Sequence, residues 1–143
     1  MQRFEVIVIG GGPSGAIAAR DLARAGTRVA LIDGAHPREK PCGGGVTGRA
    51  LALTGGASGG RPIQSVRFES GARASIVPLP PGALNVHARE AFDAALLHEA
   101  TTAGATLFPQ RATALSRTAR DWTIRLAGAE PLTATKTTIP IAR

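Results

Sequence analysis

The chain has 143 residues, with 17 Lys+Arg against 10 Asp+Glu, a net charge of +7, 43% hydrophobic residues, 18 Gly, 10 Pro and a single Cys. That length suits one domain, and a chain of ~150 residues hides roughly two thirds of its unfolded surface, so wholesale disorder is excluded. One cysteine makes neither an internal disulfide nor a zinc cluster, which points to a reducing compartment. The apolar run at residues 6–9 falls far short of the ~20 residues that cross a bilayer or the roughly 7 to 15 of a signal peptide, so a soluble cytoplasmic protein with no transmembrane segment is expected. The positive charge is scattered, and one Trp, four Phe and no Tyr make a poor stacking surface, so nucleic acid is not an expected partner.

In chain order, residues 4–9 form a short apolar run rich in β-branched side chains, as in a strand buried on both faces. Glycines 10, 11, 12 and 15 end it. Residues 13–25 are Ala-rich, with Pro13 at an allowed first-turn position and Gly26 as the stop, which predicts a helix. Residues 28–32 read as a second buried strand ending at Asp33. Strand, helix and strand in about thirty residues make a βαβ unit with a right-handed crossover. Residues 34–48, with two prolines and five glycines, read as a loop, and 49–53 as a helical turn. Residues 54–62 read as a flexible connection, and alternation at 66–69 and 74–77 around Ser70-Gly71 as a β-hairpin. A second helix is expected over 87–103, with Gly104 as its stop, then strands at 106–108, 112–116, 122–126 and 132–135.

Gly10-x-Gly12-x-x-Gly15 is weak by itself, but here it lies between a strand and a helix, with Ala19 and Leu22 on the inner helix face and acidic Asp33 at the tip of the next strand. In that setting Gly10 permits the tight turn, Gly12 admits a pyrophosphate to the backbone and Gly15 lets helix pack on strand. The helix terminus offers unpaired N–H groups and about half a positive charge. Asp33 would accept hydrogen bonds from the ribose hydroxyls and disfavour a ribose 2′-phosphate. The alternative is a Gly-rich turn that binds nothing.

Beyond Asp33, Lys40-Pro41-Cys42-Gly43-Gly44-Gly45 and the later Val86-His87-Ala88-Arg89-Glu90-Ala91-Phe92-Asp93 resemble the geranylgeranyl reductase family. These are FAD-dependent oxidoreductases of the p-hydroxybenzoate hydroxylase-like superfamily, which also holds monooxygenases and halogenases. The resemblance covers most of residues 4–126 and implies a Rossmann-like FAD/NAD(P)-binding α/β domain with a parallel sheet. It implies that Gly10, Gly12, Pro13, Ser14, Gly15 and Asp33 hold the ADP half of FAD, that Cys42, Gly43 and Gly45 line the riboflavin part, that Arg89 reaches FAD from its helix, and that the backbone at Ala112 meets the adenine. It further implies NAD(P)H as reductant and a hydrophobic substrate.

Each of these residues has a plainer reading. Cys42 could be a small buried thiol, the glycines at 43–45 a mobile loop, and Arg89 with Asp93 a surface ion pair. His36, His87 and His98 lack metal-ligand spacing and read as surface or loop residues, and Trp122 reads as core. No metal site and no catalytic acid or base is expected. The family carries a further hydrophobic strand ending in a Gly-Ala-Asp-Gly type motif after the strand pair at 112–126, whereas here the polar stretch at 132–143 follows. The polar 135–138 and Pro140 argue against a central strand. The expectation is therefore a fold incomplete at its C-terminus, an atypical or disordered tail over 127–143, and a truncated flavoenzyme without its substrate domain. The alternative is a non-catalytic remnant holding only the ADP part of FAD or NAD.

Overall fold

The computed structural model describes residues 1–56 and 59–138. In chain order its elements are β1 (Gln2–Ile9), α1 (Pro13–Arg24), β2 (Val29–Ile32), β3 (Gly45–Thr47), α2 (Gly48–Leu53), β4 (Arg61–Pro62), β5 (Ser65–Ser70), β6 (Arg73–Pro78), β7 (Leu84–Val86), α3 (Arg89–Thr102), β8 (Thr106–Phe108), β9 (Ala112–Arg117), β10 (Trp122–Leu126) and β11 (Ala129–Thr138). They fall into two compact units, one of Met1–Arg38 with the chain from Asp93 onward, the other Glu39–Phe92.

The first unit is built on a six-stranded sheet in the order β8-β2-β1-β11-β10-β9. Strands β8, β2, β1 and β11 run parallel, and β10 and β9 continue antiparallel. All four residues of β2 are buried, as the uninterrupted apolar run requires when both faces are covered. Helix α1 packs on β1 and β2 through buried Ala16 and Ala19, whose small side chains permit a close approach. One core cluster joins Phe4 and Ile7 of β1 with Ala30 and Ile32 of β2, Ile124 and Leu126 of β10, and Leu132 and Ala134 of β11. Trp122 packs against that cluster, partly buried, with the Arg117 guanidinium 5.2 Å over its ring.

The second unit contains the antiparallel sheet β3-β7-β4 and the separate hairpin of β5 and β6. The hairpin lies where alternation predicted it. The short strands β3 and β4 fall in stretches read as a loop and a connection, and β7 in one to which no element was assigned; three residues or fewer carry too little periodicity to be recognised.

Residues 129–138 overturn an expectation. They do not form an irregular tail: β11 lies parallel to β1 in register, Gln2 opposite Leu132 through Val8 opposite Thr138, and supplies the fourth parallel strand thought to be missing. The physical reason lies in threonine. Its β-branched side chain suits a strand, and its hydroxyl finds a partner, since Thr133, Thr135 and Thr137 donate to the carbonyls of Gln2, Glu5 and Ile7 at 3.4, 3.0 and 3.1 Å. A polar strand is thereby accommodated beside β1 with the hydroxyls of Thr133, Thr135 and Thr137 paired. Pro140 and the rest of 139–143 lie outside the described residues.

Candidate functional site

The turn from β1 into α1 is organised by backbone. Gly10 has φ +110°, a value that L side chains rarely adopt. Gly11 is the tightest point: a Cβ there would stand 2.9 Å from Asp33 Cβ and 3.0 Å from Leu97 Cδ2. Gly12 is the N-cap of α1, with no side-chain cap and Pro13 in the first turn. The first intrahelical bond runs from Ala16 N–H to Gly12 O at 2.9 Å, so the amides of Ser14 and Gly15 lie outside the helical ladder. Gly15 is buried and Ser14 exposed.

Asp33 closes this turn from the end of β2. Its Oδ2 accepts from Gly11 N–H at 2.5 Å and meets His36 Nδ1 at 2.8 Å, while its Oδ1 accepts from the N–H groups of Ala35 and His36 at 2.6 and 2.7 Å. Burial pushes this carboxyl up, but the hydrogen bonds from Gly11, Ala35 and His36 outweigh it and hold the group below its ordinary value. Four donors use the whole acceptor capacity of a carboxylate. A ribose hydroxyl binding there must exchange with one of the loop's donors, a condition that spacing alone does not reveal.

Beside the turn lies an open cleft of about 340 Å³ lined by Ile9, Gly10, Ile32, Asp33, Gly34 and the segment Gln110, Arg111, Ala112. It opens outside the carboxyl ends of β1 and β2, where an open α/β sheet receives ligands. Gly10, Asp33 and Ala112, singled out separately in the sequence, therefore wall one cavity. Gly12, Pro13, Ser14 and Gly15 belong to the same unit, in the turn and first turn of α1, and Cys42, Gly43, Gly45 and Arg89 belong to the second. There the Arg89 guanidinium donates to Cys42 Sγ at 3.0 Å, Gly43 has open space where a Cβ would point, and Gly45 meets only Leu84 at 3.5 Å.

Several expectations change. Cys42 is exposed rather than buried. Asp93 is fully buried and so is no surface residue, and His87 is 5% exposed, packed on the Phe92 ring at 4.8 Å between centroids. His36 is also no surface residue, its side chain being 9% exposed. Sequence reasoning passed over Gly11, His36 and Gly44. Gly44 has φ +66°, and a Cβ there would collide with the His87 carbonyl oxygen, so the middle glycine of that run is the one its own fold demands. His36 was foreseeable, because an Asp at a strand end commonly turns the chain by accepting amides two and three residues on.

A parallel sheet with this turn and cleft defines a Rossmann-like dinucleotide-binding fold. A family model described as FAD dependent oxidoreductase matches residues 5–121, and the chain belongs to that family. It is 51% identical over 49 residues to the geranylgeranyl diphosphate reductase of Rhodobacter capsulatus, a match covering 34% of this chain and 12% of that protein. It is 55% identical over 49 residues to the menaquinone reductase of Mycobacterium tuberculosis, with the same coverage. Among solved structures, a geranylgeranyl bacteriochlorophyll reductase-like protein from Thermoplasma acidophilum superposes with a TM-score of 0.77 at 23% identity, over 97% of this chain and 38% of that one. The chain thus spans well under half the length of the proteins it matches. Among the described residues no helix is long and apolar enough to cross a membrane.

Proposed function

We propose that this chain holds FAD for an oxidoreductase of the geranylgeranyl reductase-like class. The observation that carries the reading is the cleft at the ends of β1 and β2, walled by Gly10, Asp33 and Ala112 and adjoining an α1 terminus whose first amides lie outside the helical ladder. These features fit a dinucleotide: an anionic diphosphate meets amide donors and the positive end of a helix dipole, and a flat adenine meets apolar Ile9, Ile32 and Ala112. Gly10, Gly12, Pro13, Ser14 and Gly15 would hold the diphosphate, and Asp33 the ribose. The Asp33 charge disfavours a 2′-phosphate. In the second unit, Cys42, Gly43, Gly45 and Arg89 would meet the riboflavin part.

When bound, FAD supplies hydride or electron transfer. The residues proposed here position it, and none is assigned as acid or base. NAD(P)H as reductant and a hydrophobic small-molecule substrate are extensions of the same class, with the cytoplasm as a compartment that suits an exposed thiol.

A second reading, a non-catalytic protein that holds only the ADP part, is favoured by one observation: the whole adenosine cleft is walled by residues of the first unit. One titration of the 143-residue chain tests both. Under the first reading FAD binds more tightly than ADP-ribose and Gly12→Asp abolishes both. Equal affinity for the two, with no flavin reduction by NADH or NADPH, establishes the second. Retention of FAD by Gly12→Asp at wild-type level rejects both.

A further inference from the structure

One buried polar atom beside the turn has no use in the reading above. The His36 ring meets Asp33 Oδ2 through Nδ1 at 2.8 Å, but its Nε2 is buried and has no hydrogen-bond partner. Asp93 Oδ2 lies 3.7 Å from Nε2, beyond hydrogen-bond reach. Nε2 lies against Gly12: a Cβ built on Gly12 would lie 3.7 Å from Nε2 and 3.9 Å from Cε1. The ring therefore stands over the residue that caps α1, where the helix end itself attracts an anion.

We propose that His36 is a phosphate-binding residue, its Nε2–H donating to an oxygen of a diphosphate received at Gly12. The proposal rests on the dinucleotide reading above and adds a side chain to a site otherwise made of backbone. Nothing in the glycine fingerprint specifies it. A carboxylate only accepts, so Nδ1 keeps its proton toward Asp33, and Nε2 donates only when the ring carries both protons. The charged groups that face the ring are Asp33, from the end of β2, and Asp93, from α3; on the α1 side it meets uncharged Gly12.

Calorimetric titration of the full chain with adenosine and with ADP-ribose, whose diphosphate is esterified at both ends, provides the test. Wild type is expected to bind ADP-ribose more tightly than adenosine. His36→Asn keeps an amide near Asp33 but lacks the distal nitrogen, and should weaken ADP-ribose about tenfold, as for one charge-assisted bond, with adenosine unchanged. His36→Gln carries an amide farther out, toward the place of Nε2, and should retain ADP-ribose. Unchanged ADP-ribose binding in His36→Asn overturns the proposal and leaves the dinucleotide reading standing. Equal weakening of both ligands also overturns it, since His36 would then only support the cleft. Binding of neither ligand by wild type removes both readings.

Discussion

At Gly11 the consequence of adding one methyl group follows from the atoms it would meet. Asp33 Cβ at 2.9 Å and Leu97 Cδ2 at 3.0 Å leave no room, and Asp33 is tethered by four donors and cannot retreat without breaking them. Gly11→Ala is expected to destabilise the protein by about 2 kcal/mol, the scale of overpacking a filled site, measured by urea unfolding. The Asp33 carboxyl is held below its ordinary value, so the unfolded chain binds this proton more readily than the folded one. The stability Asp33 contributes is therefore complete above its unfolded value, near ~3.9, and is lost as pH falls through the folded value. Urea midpoints followed into acid below about pH 4 should fall more steeply for wild type than for Asp33→Asn. Gly10, Gly12, Gly15 and Asp33 were legible because the turn imposes their spacing. Gly11 was less so, because what demands it is one carboxylate arriving from 22 residues away.

The element least legible in the sequence is β11. Polarity argued against a strand beside β1, yet hydrophobicity is only one way to satisfy a strand. β-branching and a hydroxyl that reaches a neighbouring carbonyl serve as well, and the neighbour is known only from the fold. Thr137→Val keeps the branched shape and removes the bond to Ile7 O, 3.1 Å long. It should cost about 1 kcal/mol by urea unfolding, the usual net worth of such a bond. Arg20 shows the same limit on α1. It is 5% exposed, pairs with Asp21 at 2.8 Å and Glu99 at 2.9 Å, and its pKa is raised by those hydrogen bonds. Glu99 is partly exposed, so Glu99→Gln should cost about 1 kcal/mol, near the upper range for an exposed pair and well below that of a fully buried one. A helical repeat predicts that α1 buries a face, but an arginine on that face is legible only once α3 supplies its carboxylate.

At the scale of the whole molecule, the chain leaves the first unit after Arg38 and re-enters it at Asp93, and the two sets of proposed residues divide at the same places. Ligand binding should follow that division. ADP-ribose at a hundredfold excess over its Kd is expected to stabilise the protein by about 2.7 kcal/mol, with hydrogen-exchange protection at residues 10–15, 33–36 and 110–112. FAD should add protection at 42–45. If FAD protects only what ADP-ribose protects, Cys42, Gly43 and Gly45 have no part in holding the flavin. By itself the sequence determined the βαβ unit, the glycine turn, the acid at the tip of β2 and the family resemblance, because each depends on local spacing and short-range backbone sterics. Only the tertiary structure decided that a threonine-rich strand lies beside β1, that Ala112 shares a cleft with Gly10 and Asp33, and that His36 turns inward over Gly12. Each of these depends on which distant atoms are brought within hydrogen-bonding or contact distance, and a one-dimensional pattern carries no record of that.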